Sequence, residues 1–137
     1  MKDTLKSLLA TGLVMFFGTS CASAPCDGVD RDLPQDLRGK LTPIVSKQLQ
    51  APAAEILQSF RFGTWQIIFV ETGISDPGFF FYSGDPASNK FIATWGGAAA
   101  ANEQRSILQW TKKNAVGIPD RLAQCFAWYV THDNNQK

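Results

Sequence analysis

Apolar residues along this chain change their period twice. From Leu41 the apolar positions Leu41, Ile44, Val45 and Leu49 share one face of a 3.6-residue repeat. Thr42 and Pro43 suit the opening of that helix, and Pro52 closes it. The period then shortens. Ile56, Phe60 and Phe62 alternate with Leu57, Ser59 and Arg61, although Ala and Glu over 53–58 also favour helix. Gly63 and Thr64 turn the chain. The run Trp65, Gln66, Ile67, Ile68, Phe69, Val70 is apolar on both faces after Gln66, which describes a central buried strand. Asp76 and Pro77 mark a second turn, Phe79 to Tyr82 a third strand, and Ser83 to Pro86 a third turn. Phe91, Ile92, Ala93, Thr94 and Trp95 make a fourth strand.

The long period returns at the C-terminal end. Asn102 is placed to cap a helix with Glu103 in its first turn, and Ile107, Leu108 and Trp110 form its apolar side. That helix stops near Asn114, ahead of Gly117. Pro119 starts another, with Leu122, Cys125, Phe126 and Tyr129 at i, i+3, i+4 and i+7. The pattern predicts an α+β domain: one helix, a four-stranded antiparallel meander, then two helices packed on the sheet. Four consecutive aromatics, Phe79 to Tyr82, place two rings on each sheet face. A face left uncovered by helices would show an aromatic patch of the kind that marks a partner site; the alternative is core on both faces.

The first twenty residues have a different character. A short basic stretch with Lys2 and Lys6 precedes an apolar run from Leu8 to Phe17. Ten residues is the length of a signal-peptide core and too short to span a bilayer. Two processing routes are open. Ala22, Ser23 and Ala24 have the small-x-small form of ordinary cleavage, although Pro25 follows. Gly18, Thr19, Ser20 and Cys21 resemble the lipobox of bacterial lipoproteins, with Gly18 where leucine is usual. That resemblance covers residues 1–21 only. It implies that Cys21 becomes the lipidated first residue of the mature protein. Ala22 in place of aspartate then implies the outer membrane over the inner. The expected organisation is a signal peptide over 1–20, a lipid-anchored linker over 21–36, one domain over 37–132 and a tail over 133–137.

The chain has 137 residues and three cysteines, Cys21, Cys26 and Cys125. Lipidation of Cys21 leaves an even pair. Cys26 and Cys125 are then expected to form a disulfide in an oxidising compartment, the alternative being two thiols. The bridge would close a loop of about 100 residues and contribute up to ~4 kcal/mol in the chain-entropy model.

Charge excludes one class of partner. The chain carries 13 Lys+Arg and 12 Asp+Glu, and without residues 1–20 it carries 11 of each. A neutral domain with no basic run beyond Lys112 and Lys113 lacks the clustered cations that nucleic acid requires. Those two lysines suit the end of a helix. No cofactor or metal is expected, since there is one histidine, His132 near the C-terminus, and no closely spaced cysteine pair. The aspartates over 27–36 lack the ligand order of a calcium loop. No nucleophile elbow or phosphate loop appears. Trp95, Gly96 and Gly97 before Asn102 serve either as an anion cradle or, more simply, as a hinge.

Three functions follow as expectations. The first is a non-catalytic envelope lipoprotein that binds a protein, such as an inhibitor or immunity protein against an envelope-acting hydrolase. In size, disulfide use and anchoring the chain is similar to small periplasmic immunity proteins and lysozyme inhibitors. Asp76, Phe79, Tyr82, Asp85 and Trp95, in or beside the turns, are the candidate contact residues. The second is an accessory subunit of an envelope or secretion assembly. The third is an enzyme using paired carboxylates among Glu55, Glu71, Asp76 and Asp85.

Overall fold

The computed structural model describes residues 24–133. The order of elements is α1 (Gln35–Leu49), β1 (Glu55–Phe62), β2 (Trp65–Glu71), β3 (Gly78–Tyr82), β4 (Ala93–Gly96), a 3-10 turn (Ala101–Glu103), α2 (Gln104–Asn114) and α3 (Asp120–His132). The four strands pair antiparallel in chain order β1-β2-β3-β4, as the run of short strands and tight turns predicts. Phe62 faces Trp65 across the two-residue turn, where Gly63 adopts φ 59. Such turns need positive φ, which glycine supplies without steric cost.

The sheet is covered on both faces. Phe60, Ile67, Phe69, Phe79 and Phe81 pack with Ile107 of α2 and Leu122, Phe126 and Tyr129 of α3. On the other face Ile56, Ile68, Val70 and Tyr82 pack with Leu41 and Val45 of α1. This explains why β2 is buried from Gln66 to Val70. The consecutive aromatics of β3 divide as a strand requires: Phe79 and Phe81 point to α2 and α3, Phe80 and Tyr82 to the α1 side. The outcome is core on both faces.

The structure departs from the sequence reading in four places. Helix α1 begins at Gln35, seven residues before Thr42, with Pro34 as its N-terminal cap position and Asp36 in its first turn. Pro43 therefore sits inside the helix, where it supplies no N–H. Thr42 does not cap; its Oγ1 donates to the Arg38 carbonyl at 2.8 Å. In β1 a bulge at Leu57 interrupts the pairing between Ile56 and Gln58. The extra residue reverses the alternation, so Ile56 faces α1 whereas Phe60 faces α3. Strand β4 starts at Ala93, two residues later than expected, and Asn102 lies within the 3-10 turn. Glu103 reaches back instead, accepting the Ala100 N–H at 2.6 Å.

The stretch before α1, expected to serve as a linker, is docked on the domain. Asp30 pairs with Arg61 of β1 through two backbone hydrogen bonds, at 2.9 and 2.8 Å. Val29 is buried in the core beside α3. Arg31 places its guanidinium 5.6 Å from the Phe60 ring centre and 5.0 Å from that of Tyr129, and pairs with Asp133 at 3.2 Å. The strap thus covers the outer edge of β1.

Candidate functional site

Two loops meet at one end of the sheet. Residues 72–77 connect β2 to β3, and residues 97–100 follow β4. Gly96 lies across from Gly78 in the β3–β4 register, which brings the loops side by side. Gly97 turns away with φ 110, a conformation other residues rarely adopt. Within the 72–77 loop the Thr72 and Ser75 hydroxyls share a 2.9 Å hydrogen bond, and the Ser75 N–H donates to Thr72 Oγ1 at 3.3 Å. These contacts hold the loop in shape and leave Ile74 and Asp76 outward.

Between the loops is a shallow groove of 330 Å³ lined by Phe69, Asp76, Pro77, Phe79, Gly97 and Ala98. Its floor is a pair of stacked rings, Phe69 and Phe79, with centres 4.2 Å apart and planes within 12°. Trp95 lies 5.8 Å from Phe79. A second hollow on the other sheet face shares Asp76, Pro77 and Gly97 with the first and adds Phe80 and Thr94. Asp76 is the single ionisable residue in either lining. Ile74, in the same loop but in neither lining, is 76% exposed. The groove therefore has a buried aromatic floor and one negative charge at its rim.

Of the five candidate contact residues the structure brings three together: Asp76, Phe79 and Trp95. Asp76 is exposed and Trp95 half-buried. Phe79 is 1% exposed and serves as floor and core, meeting Phe60, Phe69, Trp95, Phe126 and Tyr129. Tyr82 lies at the far end of β3 on the opposite face, wholly buried, with its hydroxyl donating to Gln48 Oε1 at 3.0 Å. Burial pushes its phenol up to about 12. Asp85 is at that far end too, and its carboxylate accepts the Ala87 N–H at 2.9 Å within its own turn. Tyr82 and Asp85 belong to the scaffold of the 83–90 loop, apart from the groove. Pro77 and Phe69 were read in the sequence only as turn and buried strand, and Ile74 was passed over, although a large apolar residue isolated in a turn was a usable signal.

The remaining candidates are dispersed. Glu55 and Glu71 face each other across β1 and β2, both exposed, with Arg38 4.0 Å from Glu55. Neither lines the groove. His132 lies in the last turn of α3, its ring stacked on Trp128 at 5.9 Å and its Nδ1 2.8 Å from the Thr131 hydroxyl. At the hinge after β4, the Ala100 N–H that an anion would seek is already taken by Glu103. Among the described residues no group of three or more His, Cys, Asp or Glu is placed to hold a metal ion.

Cys26 and Cys125 form a disulfide, with Cys125 fully buried on the inner face of α3. A bridge of this kind places the folded domain in an oxidising, extracytoplasmic compartment. Cys21 lies outside the described residues. Among those described, no helix is long and apolar enough to cross a membrane. The chain matches no protein-family model, no curated protein and no solved structure.

Proposed function

We propose that this chain is an exported bacterial lipoprotein, anchored through Cys21, whose domain binds a protein partner at the groove between the 72–77 and 97–100 loops. The observation that carries the reading is the groove itself: a single carboxylate, Asp76, beside Pro77, Gly97 and Ala98, held by two loops over a stacked aromatic floor, with Ile74 exposed in the same loop as Asp76. An apolar patch with one polar anchor suits a protein surface, where aromatic and aliphatic contacts supply affinity and a charge fixes orientation.

The position of the groove supports the same reading. The strap runs antiparallel to β1, so its earlier residues approach the 63–64 turn; a Cβ at Gly28 would lie 3.9 Å from Phe62 Cε2. Gly28 thus lies towards the end of the sheet opposite the groove. An inhibitor or immunity protein against an envelope-acting hydrolase fits this arrangement. Outer-membrane residence follows from Ala22 after the lipobox cysteine.

The test has two parts. Labelled fatty acid should enter the wild-type chain and not Cys21→Ser. The soluble Cys21→Ser chain, used as bait in bacterial envelope extracts, should retain one hydrolase stoichiometrically and reduce its activity. The Ile74→Asp, Asp76→Lys double variant should lose it. Recovery of a multi-subunit membrane assembly would replace the inhibitor reading with that of an accessory subunit. Retention unaffected by the double variant would remove the groove from the reading.

A further inference from the structure

A hollow of 560 Å³ lies between the end of α1 and the 83–90 loop, and it shares no residue with the groove. Ile44, Lys47 and Gln50 line it from the helix side, Ser88 and Lys90 from the loop. That volume is within the range of small-molecule sites. Its two walls are fixed to each other. Gln48 Nε2 donates to the Pro86 and Asn89 carbonyls at 2.9 and 3.1 Å, while its Oε1 accepts the Tyr82 hydroxyl at 3.0 Å. Within the loop the Asp85 carbonyl accepts the Ser88 and Asn89 N–H groups at 3.0 and 2.9 Å, and the Asn89 side chain at 2.9 Å. These bonds hold the hollow in shape.

The lining carries two cations and no anion. Lys47 and Lys90 are both exposed, and neither makes an ion pair among the described residues. The carboxylate of the loop, Asp85, accepts the Ala87 N–H and lines a separate hollow at the 63–64 turn. A lysine in a last helical turn ordinarily answers the helix dipole. At the end of α1, however, the Gln50 and Ala51 N–H groups already donate to the Lys47 and Ser46 carbonyls, at 3.3 and 3.0 Å. Lys90 belongs to no helix, so the dipole does not account for it. Two like charges on one hollow repel each other, and one doubly charged anion relieves both.

We propose that this hollow binds a phosphomonoester. Such a group carries nearly two negative charges at neutral pH and three strong acceptor oxygens. It therefore balances two ammonium groups, each a compact point charge suited to phosphate. A carboxylate or a phosphodiester brings one charge and leaves one lysine uncompensated. The Ser88 hydroxyl and the Gln50 side-chain amide have no hydrogen-bond partner among the described residues, so both are open to the ligand's oxygens. Ile44 supplies an apolar wall for its carbon skeleton. Both lysines are solvated, so binding weakens as salt screens them. The proposal depends neither on lipid anchoring nor on the partner groove.

The test uses the full chain, expressed with its own leader, and reads backbone amide shifts by NMR. Glycerol phosphate is the free monoester, dihexanoyl phosphatidic acid the lipid-borne one, and glycerophosphoglycerol the diester comparison. The monoesters should shift the amides of residues 47–50 and 87–90 saturably, and the diester should bind roughly tenfold more weakly. Lys47→Gln and Lys90→Gln should each weaken monoester binding roughly tenfold, through loss of one charge-assisted contact. Lys40→Gln, at an exposed position of α1 outside the lining, should leave it unchanged. Saturable binding of either monoester at these amides upholds the proposal, and the tighter of the two names the source. Shifts confined to other residues, equal affinity for the diester, or affinity retained in the Lys47→Gln, Lys90→Gln double variant would overturn it. Wild-type shifts elsewhere in the variants' spectra show that the fold is kept.

Discussion

The buried hydroxyl of Tyr82 donates to Gln48 Oε1 at 3.0 Å, and this bond joins β3 to the last turn of α1. Gln48 completes its own hydrogen bonding by donating to the Pro86 and Asn89 carbonyls, at 2.9 and 3.1 Å. One side chain thereby ties the sheet, α1 and the 83–90 loop together. Tyr82→Phe should lower stability by about 1 kcal/mol, the net worth of one hydrogen bond. Gln48→Ala should cost more, since it leaves the Tyr82 hydroxyl without an acceptor in the core. Urea denaturation of both variants measures the difference.

The same phenol predicts an alkaline limit. Its pKa is near 10 in the unfolded chain and about 12 in the folded one. Between those values the unfolded state has released the proton and the folded state has kept it. Stability is therefore complete below pH 10 and falls as pH rises towards 12, by up to roughly 1.4 kcal/mol per pH unit from this group. Tyr82→Phe should flatten the part of the alkaline denaturation curve that Tyr82 contributes.

Removing the Cys26–Cys125 bridge releases a loop spanning 99 positions. Reduction, or Cys26→Ala with Cys125→Ala, should lower unfolding free energy by about 2–5 kcal/mol. Hydrogen exchange should locate the early loss in the strap, where the Asp30 and Arg61 amides hold each other, before the β2 amides exchange.

Phe79 and Asp76 are three residues apart and should behave in opposite ways. Phe79→Ala empties the centre of an aromatic cluster and should cost about 3–5 kcal/mol. Asp76→Ala alters an exposed carboxylate and should change stability by less than about 0.5 kcal/mol while weakening partner binding. Thermal melts and binding assays on the same pair separate scaffold from contact.

Arg31 couples the strap to the end of α3. Burial and the Asp133 carboxylate raise the Tyr129 phenol, and the Arg31 guanidinium opposes them. Arg31→Gln should therefore move Tyr129 titration further up, read from phenolate absorbance. The loss of the ring contacts and the ion pair should cost roughly 1 kcal/mol.

The meander was legible because β2 and β3 have no reading as amphipathic helices: their apolar runs are too short and too aromatic, and turn residues bound them. Helix α3 was legible from Leu122, Cys125, Phe126 and Tyr129, all buried as the spacing requires. The start of α1 was not. Thr42 and Pro43 imitate a helix start, while the real one at Pro34 lies among aspartates that read as linker. The bulge at Leu57 was invisible, since the residues on either side still look like one alternating strand. The strap was missed for a related reason. Apart from the Cys26–Cys125 bridge, its anchoring rests on one valine, one arginine over two rings, ion pairs of Asp30 and Arg31 and two backbone bonds, none of which leaves a period. At the groove, Asp76 and Trp95 could be named from their turns, but Phe79 could be assigned to floor and not to rim only once α3 was seen to cover that face.

The covalent link between Cys26 and Cys125 also decides how the molecule bears load. A pull applied between the segment before Cys26 and the segment after Cys125 passes directly from one sulfur to the other. Every strand, α1 and α2 lie within the bypassed loop and carry no tension. Among the described helices and strands, the final turns of α3, beyond Cys125, alone can be drawn out. Strand slippage, the usual way a sheet yields to traction, is closed off as long as the bridge is intact.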